Sequence, residues 1–233
     1  MEIEETRLQG IINLDKPAAL SSARAVSRVK RLLPRGTKIG HAGTLDPFAT
    51  GVLLLLIGKA TRLCEKLMDS PKQYEAVIKL GATTPTDDPE SEVTETPGAV
   101  APSPDALVAA LPAFTGLITQ QPPIFSALKI GGRRAYDLAR KGKPVELAPR
   151  TVCVNAIELL DYTWPLVRVK IDCGRGTYIR AIARDLGAAL GVGGYLTELR
   201  RTRVGEFFAT ESVTLEQVAE QGVQQHLRLL TSE

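Results

Sequence analysis

The most informative part of this 233-residue chain is residues 40–51, which read GHAGTLDPFATG. Three glycines and one proline restrict this segment to a specific loop path, because glycine reaches backbone angles that other residues avoid and proline fixes one angle. Asp46 lies at the bend of the loop, and His41 precedes it by five residues. Such a loop exposes side chains, although an aspartate before a proline also commonly caps a turn. Asp46 is therefore a candidate catalytic residue with a structural alternative.

Helix and strand signals on both sides of this loop follow one another without a regular order. Apolar patterns predict extended segments at residues 8–14, 74–80, 152–160, 166–173 and 195–208. Helical spacing and capping residues predict helices at about 22–33, 61–68, 105–111, 133–141, 177–190 and 214–220, the first capped by Ser21 or Ser22. Because there is no repeated strand–helix–strand unit, the pattern predicts an α+β fold rather than a doubly wound sheet.

The composition is that of a globular protein, since 44% of the residues are hydrophobic and 24% are charged. A disordered chain is excluded because this apolar content supplies ample surface to bury. The longest apolar run, residues 52–57, is far shorter than the roughly 20 residues that span a bilayer. The acidic start, MEIEET, does not resemble a secretory signal. We therefore expect a cytoplasmic protein with no membrane association.

Residues that hold metals or cofactors do not occur in recognisable arrangements. Cys64, Cys153 and Cys173 are far apart, and the chain has only two histidines. This spacing supports neither a disulfide framework nor a metal site. The nearest match to a phosphate-binding loop, residues 53–60, lacks its first glycine and its hydroxyl residue. We expect chemistry without a metal or a cofactor.

Positive charge is concentrated in three blocks, although the net charge is only +3. Residues 24–38, 129–150 and 168–203 hold 6, 7 and 8 of the 29 lysines and arginines. An acidic loop, predicted to be exposed, occupies residues 82–105. Dense local positive charge suits RNA or DNA binding, and the alternative is that the blocks are ordinary solvated faces. Charge by itself leaves both interpretations open.

Four further segments are as informative as the loop at 40–51. They are INLDKP (12–17), SALKIGGRRAYDLARKG (126–142), CGRGTYIRAIARDLG (173–187) and YLTELRRTRVG (195–205). In this order and spacing they resemble the TruB family of tRNA pseudouridine synthases, over most of the chain. Leu54 stands where the family usually has a proline, a departure expected to affect packing only. Family members usually continue into a C-terminal PUA RNA-binding domain. We expect a single catalytic domain, residues 1–233, with no PUA domain.

The resemblance implies a fold and a reaction. The fold is that of pseudouridine synthases, a mixed, mostly antiparallel central sheet flanked by helices, with an RNA-gripping insertion at about 120–150. The reaction is the isomerisation of uridine to pseudouridine at position 55 in the T-arm loop of tRNA. It adds and removes no atoms, which agrees with the lack of a cofactor motif. The implied partner is tRNA, bound by a monomer with no guide RNA and no obligate protein partner.

The resemblance makes Asp46 the essential carboxylate. It acts either by covalent attack on the sugar or base or by taking a sugar proton, and the sequence leaves both routes open. Burial under the base would raise its pKa, so a cation is needed nearby. Arg180 matches the family arginine that pairs with this aspartate, and its alternative is a phosphate contact.

The resemblance also assigns residues that receive the extruded base and hold the RNA. Tyr74 stacks on the uracil, Tyr178 and Leu199 complete the pocket, and His41 packs into the RNA beside the vacated position. Each has a structural alternative as a strand, core or loop residue. The basic residues of the insertion are expected to contact the RNA backbone: Lys129, Arg133, Arg134, Arg140 and Lys141.

Two other classes of function compete with this one. A non-catalytic RNA-binding protein would keep the basic blocks, but the intact set of Asp46, Tyr74, Tyr178 and Arg180 argues against it. The catalytic subunit of a guide-RNA particle shares the core motif. The expected absence of a PUA domain and the Pro-Phe-Ala-Thr continuation after Asp46 disfavour that alternative.

Overall fold

The computed structural model describes residues 8–126, 129–130, 133–134 and 147–228. The strands are β1 (Gly10–Lys16), β2 (Ile39–Ala42), β3 (Thr50–Ile57), β4 (Lys72–Leu80), β5 (Ala82–Thr83), β6 (Thr94–Glu95), β7 (Gly116–Gln120), β8 (Lys129–Ile130), β9 (Arg133–Arg134), β10 (Arg150–Thr163), β11 (Leu166–Cys173), β12 (Gly194–Val204) and β13 (Phe207–Phe208). The helices of the described ranges are α1 (Ser22–Lys30), α2 (Cys64–Asp69), α3 (Pro104–Ala110), α4 (Ile179–Ala189) and α5 (Leu215–Gln221). Short 3-10 helices join several of these elements.

The chain divides into two units, each built from part of the sheet. Unit 1 comprises residues 1–72 and 200–233, and unit 2 comprises residues 73–199. Strand β12 passes through both, so its first six residues belong to unit 2 and its last five to unit 1.

The sheet of unit 1 is centred on β3, whose sequence TGVLLLLI is buried from Gly51 onward. Strand β1 pairs with it antiparallel, from Gly10 opposite Ile57 to Lys16 opposite Gly51. Strand β2 pairs antiparallel with the end of β3, and β12 pairs parallel with its beginning. A strand that is apolar on both faces must be covered on both sides. This is why β3 lacks the alternation of an exposed strand.

Two hydrophobic clusters cover the two faces of β3. Leu53, Leu55 and Ile57 pack with residues of α1 and α5, among them Val29 and Val218. The alternate residues Val52, Leu54 and Leu56 pack in a second cluster with Val204, Phe207 and, from α2, Leu67 and Met68. Leu54, the departure from the family pattern, is fully buried in that second cluster. Its packing role agrees with the expectation from the sequence.

Helix α1 shows why local sequence selects this arrangement. The Ser21 hydroxyl oxygen accepts a hydrogen bond from the Arg24 backbone N–H, at 3.3 Å, which caps the first turn. Ala25 and Val29, four residues apart, face the core and are fully buried. Helix α5 begins with the predicted capping box, in which Thr214 and Gln217 each bond the other's backbone.

Unit 2 contains the strand order β12-β4-β11-β10-β7. Strands β10 and β11 form a long antiparallel hairpin with two register shifts, and β7 pairs antiparallel with the start of β10. The alternating residues Val167, Val169 and Ile171 of β11 are buried, as the sequence pattern predicts. Helix α4 packs closely against the start of β12, since a Cβ on Gly187 would overlap the backbone of Gly193 and Gly194.

The α+β prediction with a mixed, mostly antiparallel sheet is confirmed, and three local predictions need correction. The extended segment predicted at residues 8–14 continues to Lys16, because Asp15 and Lys16 complete β1. The predicted exposed loop at 82–105 contains the β5–β6 pair and a buried aspartate, described below. A helix does not begin at residue 133, since Arg133 and Arg134 form β9 and pair with β8. Residues 135–141 of that prediction lie outside the described residues.

The helices of the described part of the chain can be compared with the length that is needed to cross a membrane. None of the helices there is long and apolar enough to cross a bilayer. The assignment of residues 1–233 to one domain remains a prediction.

Gly51 is expected to be essential for the contact between β3 and β12. Its φ is +97°, and a Cβ would overlap the Arg201 carbonyl oxygen, whereas Gly36 has φ +85° and open space around it. Gly36→Ala should cost about 1–2 kcal/mol from backbone strain, and Gly51→Ala a further ~1–3 kcal/mol from overpacking. Urea unfolding of both variants measures the difference. Equal destabilisation would show that β12 moves away without cost.

Candidate active site

The loop that carries Asp46 lies between β2 and β3 in unit 1 and is fixed by a buried serine. Ser22, the first residue of α1, is only 3% exposed. Its hydroxyl donates to the Leu45 carbonyl and accepts from the Leu45 N–H, both at 2.9 Å. The Ala49 N–H donates to the Asp46 carbonyl at 3.2 Å and closes the turn. The half-buried Asp46 is therefore held by bonds to its neighbour and to its own carbonyl.

Two fully buried cations bind backbone carbonyls on both sides of Asp46. The Lys16 ammonium donates to the carbonyls of Pro17, Leu20 and Pro47, at 2.8, 2.7 and 3.1 Å. A buried ammonium loses its hydration, and three carbonyl acceptors replace the lost water. This geometry explains why a lysine stands in the INLDKP segment at the end of β1.

Arg201 is the second buried cation, with 1% of its surface exposed. Its Nε donates to the Val52 carbonyl at 2.7 Å, and its terminal nitrogens donate to the carbonyls of Gly43 and Thr44 at 3.2 and 3.4 Å. The fork of one guanidinium thus joins the two ends of the loop. Together Lys16 and Arg201 hold the backbone of the Asp46 loop on both sides of the aspartate.

His41 lies on β2 opposite Leu55 and is half-buried. Its carbonyl accepts a hydrogen bond from the Cys64 thiol at 3.5 Å. His41 is therefore placed by strand pairing, five residues before Asp46, within the same unit.

Two of the predicted pocket residues lie on neighbouring strands of unit 2. Tyr74, on β4, is 8% exposed, and Leu199, on β12, is 7% exposed. The two strands are adjacent, and the Thr197 hydroxyl on β12 donates to the Val77 carbonyl on β4 at 3.0 Å. Both side chains are buried, as expected of residues that line an apolar pocket.

Tyr178 immediately precedes α4 and is held by a buried glutamine. The Gln120 side chain accepts from the Tyr178 N–H at 3.0 Å and donates to the Tyr178 carbonyl at 3.2 Å. Gln120 is 1% exposed and ends β7. Its carboxamide pairs with Tyr178 as a neighbouring strand would, because an amide offers one acceptor and donors side by side. The backbone of Tyr178 is thereby fixed.

Arg180, in the first turn of α4, is 3% exposed and forms an ion pair with Asp88. Its Nη1 donates to Asp88 Oδ2 and to the Thr86 carbonyl, and Nη2 donates to the Phe125 carbonyl, each at 2.9 Å. Asp88 is itself 2% exposed, and its other oxygen accepts from the Thr86 hydroxyl and from the Glu90 N–H. A buried ion pair with its remaining oxygen satisfied holds the guanidinium firmly.

The neighbouring aspartate makes a parallel but less buried contact. Arg184, one turn further along α4, lies 3.1 Å from Asp87. Burial raises the pKa of Asp87 above its ordinary value, and the charges of Arg184 and Arg180 oppose the rise. The Arg184 guanidinium also donates to the Gln121 carbonyl at 2.9 Å. Helix α4 is thus bound to residues 86–88 and to residues 120–125.

Comparison with known proteins identifies the family of this chain. The family model described as TruB family pseudouridylate synthase (N terminal domain) matches residues 30–179. The chain belongs to the TruB family. The model described as tRNA pseudouridylate synthase B C-terminal domain matches residues 180–230. As a TruB family pseudouridylate synthase, the chain is an isomerase.

Relatives in sequence cover most of this TruB family chain. A protein named tRNA pseudouridine synthase B from Mycobacterium ulcerans is 48% identical over 216 residues, 91% of this chain and 71% of the relative. One of the same name from Cupriavidus metallidurans is 49% identical over 213 residues, 91% of this chain and 67% of the relative.

Solved structures share the fold of the chain. The Cbf5-Nop10-Gar1 complex contains a chain with 31% identity and a TM-score of 0.71, covering 97% of this chain and 60% of the other. An H/ACA ribonucleoprotein bound to a substrate RNA containing 2'-deoxyuridine contains one with 30% identity and a TM-score of 0.68, covering 94% of this chain and 55% of the other. These neighbours confirm the pseudouridine synthase fold.

The sequence does not predict the roles of two buried residues, Asp88 and Gln120, which bind the candidate residues Arg180 and Tyr178. Asp88 was assigned to an exposed acidic loop, and Gln120 to the start of an irregular segment. The helix sequence IRAIARDLG indicates that Arg180 needs buried acceptors, but it does not indicate which residue supplies them. Nothing in the local sequence marks Gln120, whose partner lies 58 residues away.

Most cations of the third basic block, residues 168–203, are not available to bind a polyanion. Arg180 and Arg201 are buried, and Arg184 and Arg200 pair with Asp87 and Asp15. Lys170 also pairs with Glu158, so five of the eight cations of this block are buried or bound to acids of the protein itself.

The basic residues of the insertion stay predictions. The backbone of Lys129, Arg133 and Arg134 lies in the β8–β9 pair, and Arg140 and Lys141 lie outside the described residues. The predicted pairing of Arg180 with Asp46 also stays a prediction.

Metal ligands do not cluster in the part of the chain that the structure describes. No group of three or more His, Cys, Asp or Glu residues there could hold a metal ion.

Removal of Asp88 should destabilise the protein, because it takes away the buried carboxylate that lies 2.9 Å from the buried Arg180 guanidinium. We expect Asp88→Ala to lower the free energy of unfolding by about 3–5 kcal/mol. Asp161→Ala, an exposed aspartate on β10, is the control and should change it by less than about 0.5 kcal/mol. Urea unfolding measures both. A loss below about 1 kcal/mol for Asp88→Ala would contradict a tightly held pair.

Gln120→Glu should make stability depend on pH, because only the protonated acid can both donate to and accept from the Tyr178 backbone. Burial and this bond raise the folded-state pKa of the new carboxyl, so its contribution is present below the unfolded value of about 4.3 and is lost as pH rises through the folded value. The urea midpoint relative to wild type, measured from about pH 4 to about pH 8, should therefore fall. Gln120→Ala is the control, and its urea midpoint should differ from that of wild type by the same amount at every pH. A constant offset for the glutamate variant would show that Gln120 does not hold Tyr178.

Proposed function

We propose that this chain converts uridine to pseudouridine in tRNA, at position 55 of the T-arm loop, with Asp46 as the essential carboxylate. Relatives at 48–49% identity over 91% of the chain carry the name tRNA pseudouridine synthase B. The observation that carries the proposal is the clamp on the Asp46 loop, in which Ser22, Lys16 and Arg201 bind backbone atoms on both sides of the carboxylate. Preorganisation of this kind is what a catalytic group requires.

The reaction needs few groups from the protein. The bond from N1 of uracil to the sugar breaks, the base turns, and a new bond forms from C5, whose proton is lost while N1 gains one. Asp46 acts either as a nucleophile on the sugar or base or as the base that removes a sugar proton. All atoms are conserved, so the proposal includes no metal and no cofactor.

The target base must leave its loop before it can react. We assign Tyr74 to stacking on the extruded uracil, Tyr178 and Leu199 to its pocket, and His41 to the position that the base vacates. Support comes from the burial of Tyr74 and Leu199 on adjacent strands and from the fixed backbone of Tyr178. Arg180 is assigned to keep Asp46 ionised. Contacts to the RNA backbone are assigned to Lys129, Arg133, Arg134, Arg140 and Lys141.

We further propose that the chain acts in the cytoplasm as a monomer, without a guide RNA or an obligate protein partner. The solved neighbours at 30–31% identity belong to H/ACA and Cbf5 complexes, which makes a guided subunit the second candidate. The higher identity, 48–49%, to proteins named for tRNA favours independent action. Incubation of the purified chain with an unmodified tRNA transcript, followed by nucleotide-resolution mapping, tests the proposal. If the tRNA is modified only after a guide RNA is added, the proposal of independent action is wrong.

Asp46→Asn is expected to abolish turnover while tRNA affinity stays within about twofold of wild type, because the amide keeps the size but not the charge of the carboxylate. Single-turnover conversion and equilibrium binding of the same tRNA measure the two effects. Asp161→Asn, on the exposed side of β10, is the control and should retain full activity. Residual activity within tenfold of wild type, a loss of only about 1.4 kcal/mol, would remove Asp46 from the mechanism.

A further inference from the structure

The first basic block, residues 24–38, differs from the third in that all of its cations reach solvent. It comprises Arg24, Arg28, Lys30, Arg31, Arg35 and Lys38, and each is exposed. None of the six side chains forms an ion pair with another described residue. In the third block, by contrast, Arg180 and Arg201 are buried.

The spacing of the arginines places them on one side of α1. Arg24, Arg28 and Arg31 are separated by four and three residues, the spacing at which helical side chains are neighbours, and Arg31 keeps a helical backbone as the C-terminal cap. The opposite side, with Ala25 and Val29, is fully buried. We call these three arginines the α1 cation face.

This face carries a cost that an ordinary solvated helix avoids. Like charges three or four residues apart destabilise a helix by about 0.2–0.5 kcal/mol per pair, and acidic residues normally alternate with them. Residues 16–45 contain no aspartate or glutamate, so no local acid offsets the repulsion. The positive potential over α1 therefore stays available to a polyanion.

The α1 cation face is also rigidly connected to the loop of Asp46. Ser22, at the start of the helix, bonds both backbone groups of Leu45 at 2.9 Å. Arg24 follows two residues later. A strand of RNA that lies on α1 is thereby fixed relative to the residue beside Asp46, within unit 1.

We propose that the α1 cation face binds backbone phosphates of the substrate RNA, as a contact surface additional to the insertion. The inference rests on the proposed function in that RNA is the substrate. Charge complementarity identifies the occupant, because exposed guanidinium groups that have no ion-pair partner among the described residues suit phosphates. A membrane surface is a poorer fit, since an interfacial helix inserts its apolar side and that side of α1 is buried in the core.

The test is the salt dependence of tRNA binding by the triple variant Arg24→Gln, Arg28→Gln, Arg31→Gln. Glutamine has nearly the helix propensity of arginine, so the helix is kept while three charges are lost. The logarithm of the affinity falls as the logarithm of the salt concentration rises, and each lost phosphate contact makes this slope shallower by about 0.7–0.9. The slope of the triple variant should therefore be shallower than that of wild type by about 2–3. The single-turnover rate at saturating enzyme should stay within about twofold of wild type, because these residues do not touch the reacting atoms.

Two matched variants separate a specific contact from a general charge effect. The triple variant Lys79→Gln, Arg168→Gln, Lys170→Gln removes the same number of positive charges from strands β4 and β11. Because Lys79 and Lys170 already pair with Glu95 and Glu158, this variant should leave the slope within about 0.5 of wild type. Replacement of the three α1 arginines by lysine keeps the charge and should restore most of the slope. Circular dichroism of the variants verifies that α1 is folded.

The possible outcomes distinguish this inference from the proposed function. If wild type does not modify tRNA, the proposed function fails, and this inference is still judged by the binding slope. If wild type modifies tRNA but the α1 variant keeps the wild-type slope, the α1 face does not bind phosphates. An equal fall in the β4–β11 control, or a loss of rate without a change in the slope, also overturns the inference.

Discussion

The close approach of Arg201 to Gly51 is the constraint on which the Asp46 loop depends. Strand β12 pairs parallel with β3 at this point, and the Arg201 backbone occupies the space that a side chain at residue 51 would need. The approach brings the Arg201 side chain under the loop, where its guanidinium reaches carbonyls at both ends. Glycine at residue 51 and arginine at residue 201 are thus two parts of one interaction.

The chain uses positive charge in two different ways, and burial separates them. Lys16 and Arg201 are fully buried and donate to backbone carbonyls, while Arg180 is buried against Asp88. Burial of a charge is costly, so each of these groups is surrounded by acceptors that replace water. Arg24 and its neighbours on α1 keep their hydration and their charge remains accessible. Only the second group can add to long-range attraction of an RNA.

Helices α1 and α4 have equivalent roles in the two units. At the start of each helix, a buried polar side chain bonds both backbone groups of one residue, and that residue either has a proposed role itself or lies next to one that has. Ser22 does this for Leu45, and Gln120 does it for Tyr178. A side chain that donates and accepts at once satisfies a buried peptide group without a regular strand neighbour. Loops near a site gain rigidity in this way.

The sequence by itself determined the α+β class, most helices and strands, the family and the candidate residues at the ends of its motifs. These features depend on local patterns: apolar spacing, caps such as Ser21 and Thr214, and the glycine–proline loop at 40–51. Only the tertiary structure decided which charges are internal, because Asp88 and Arg180 are 92 residues apart and no local pattern joins them. The same holds for Gln120 and for Arg201, whose partners lie on distant segments. Local preferences are written in neighbouring residues, whereas the pairing of buried polar groups is set by which segments the packed core brings together.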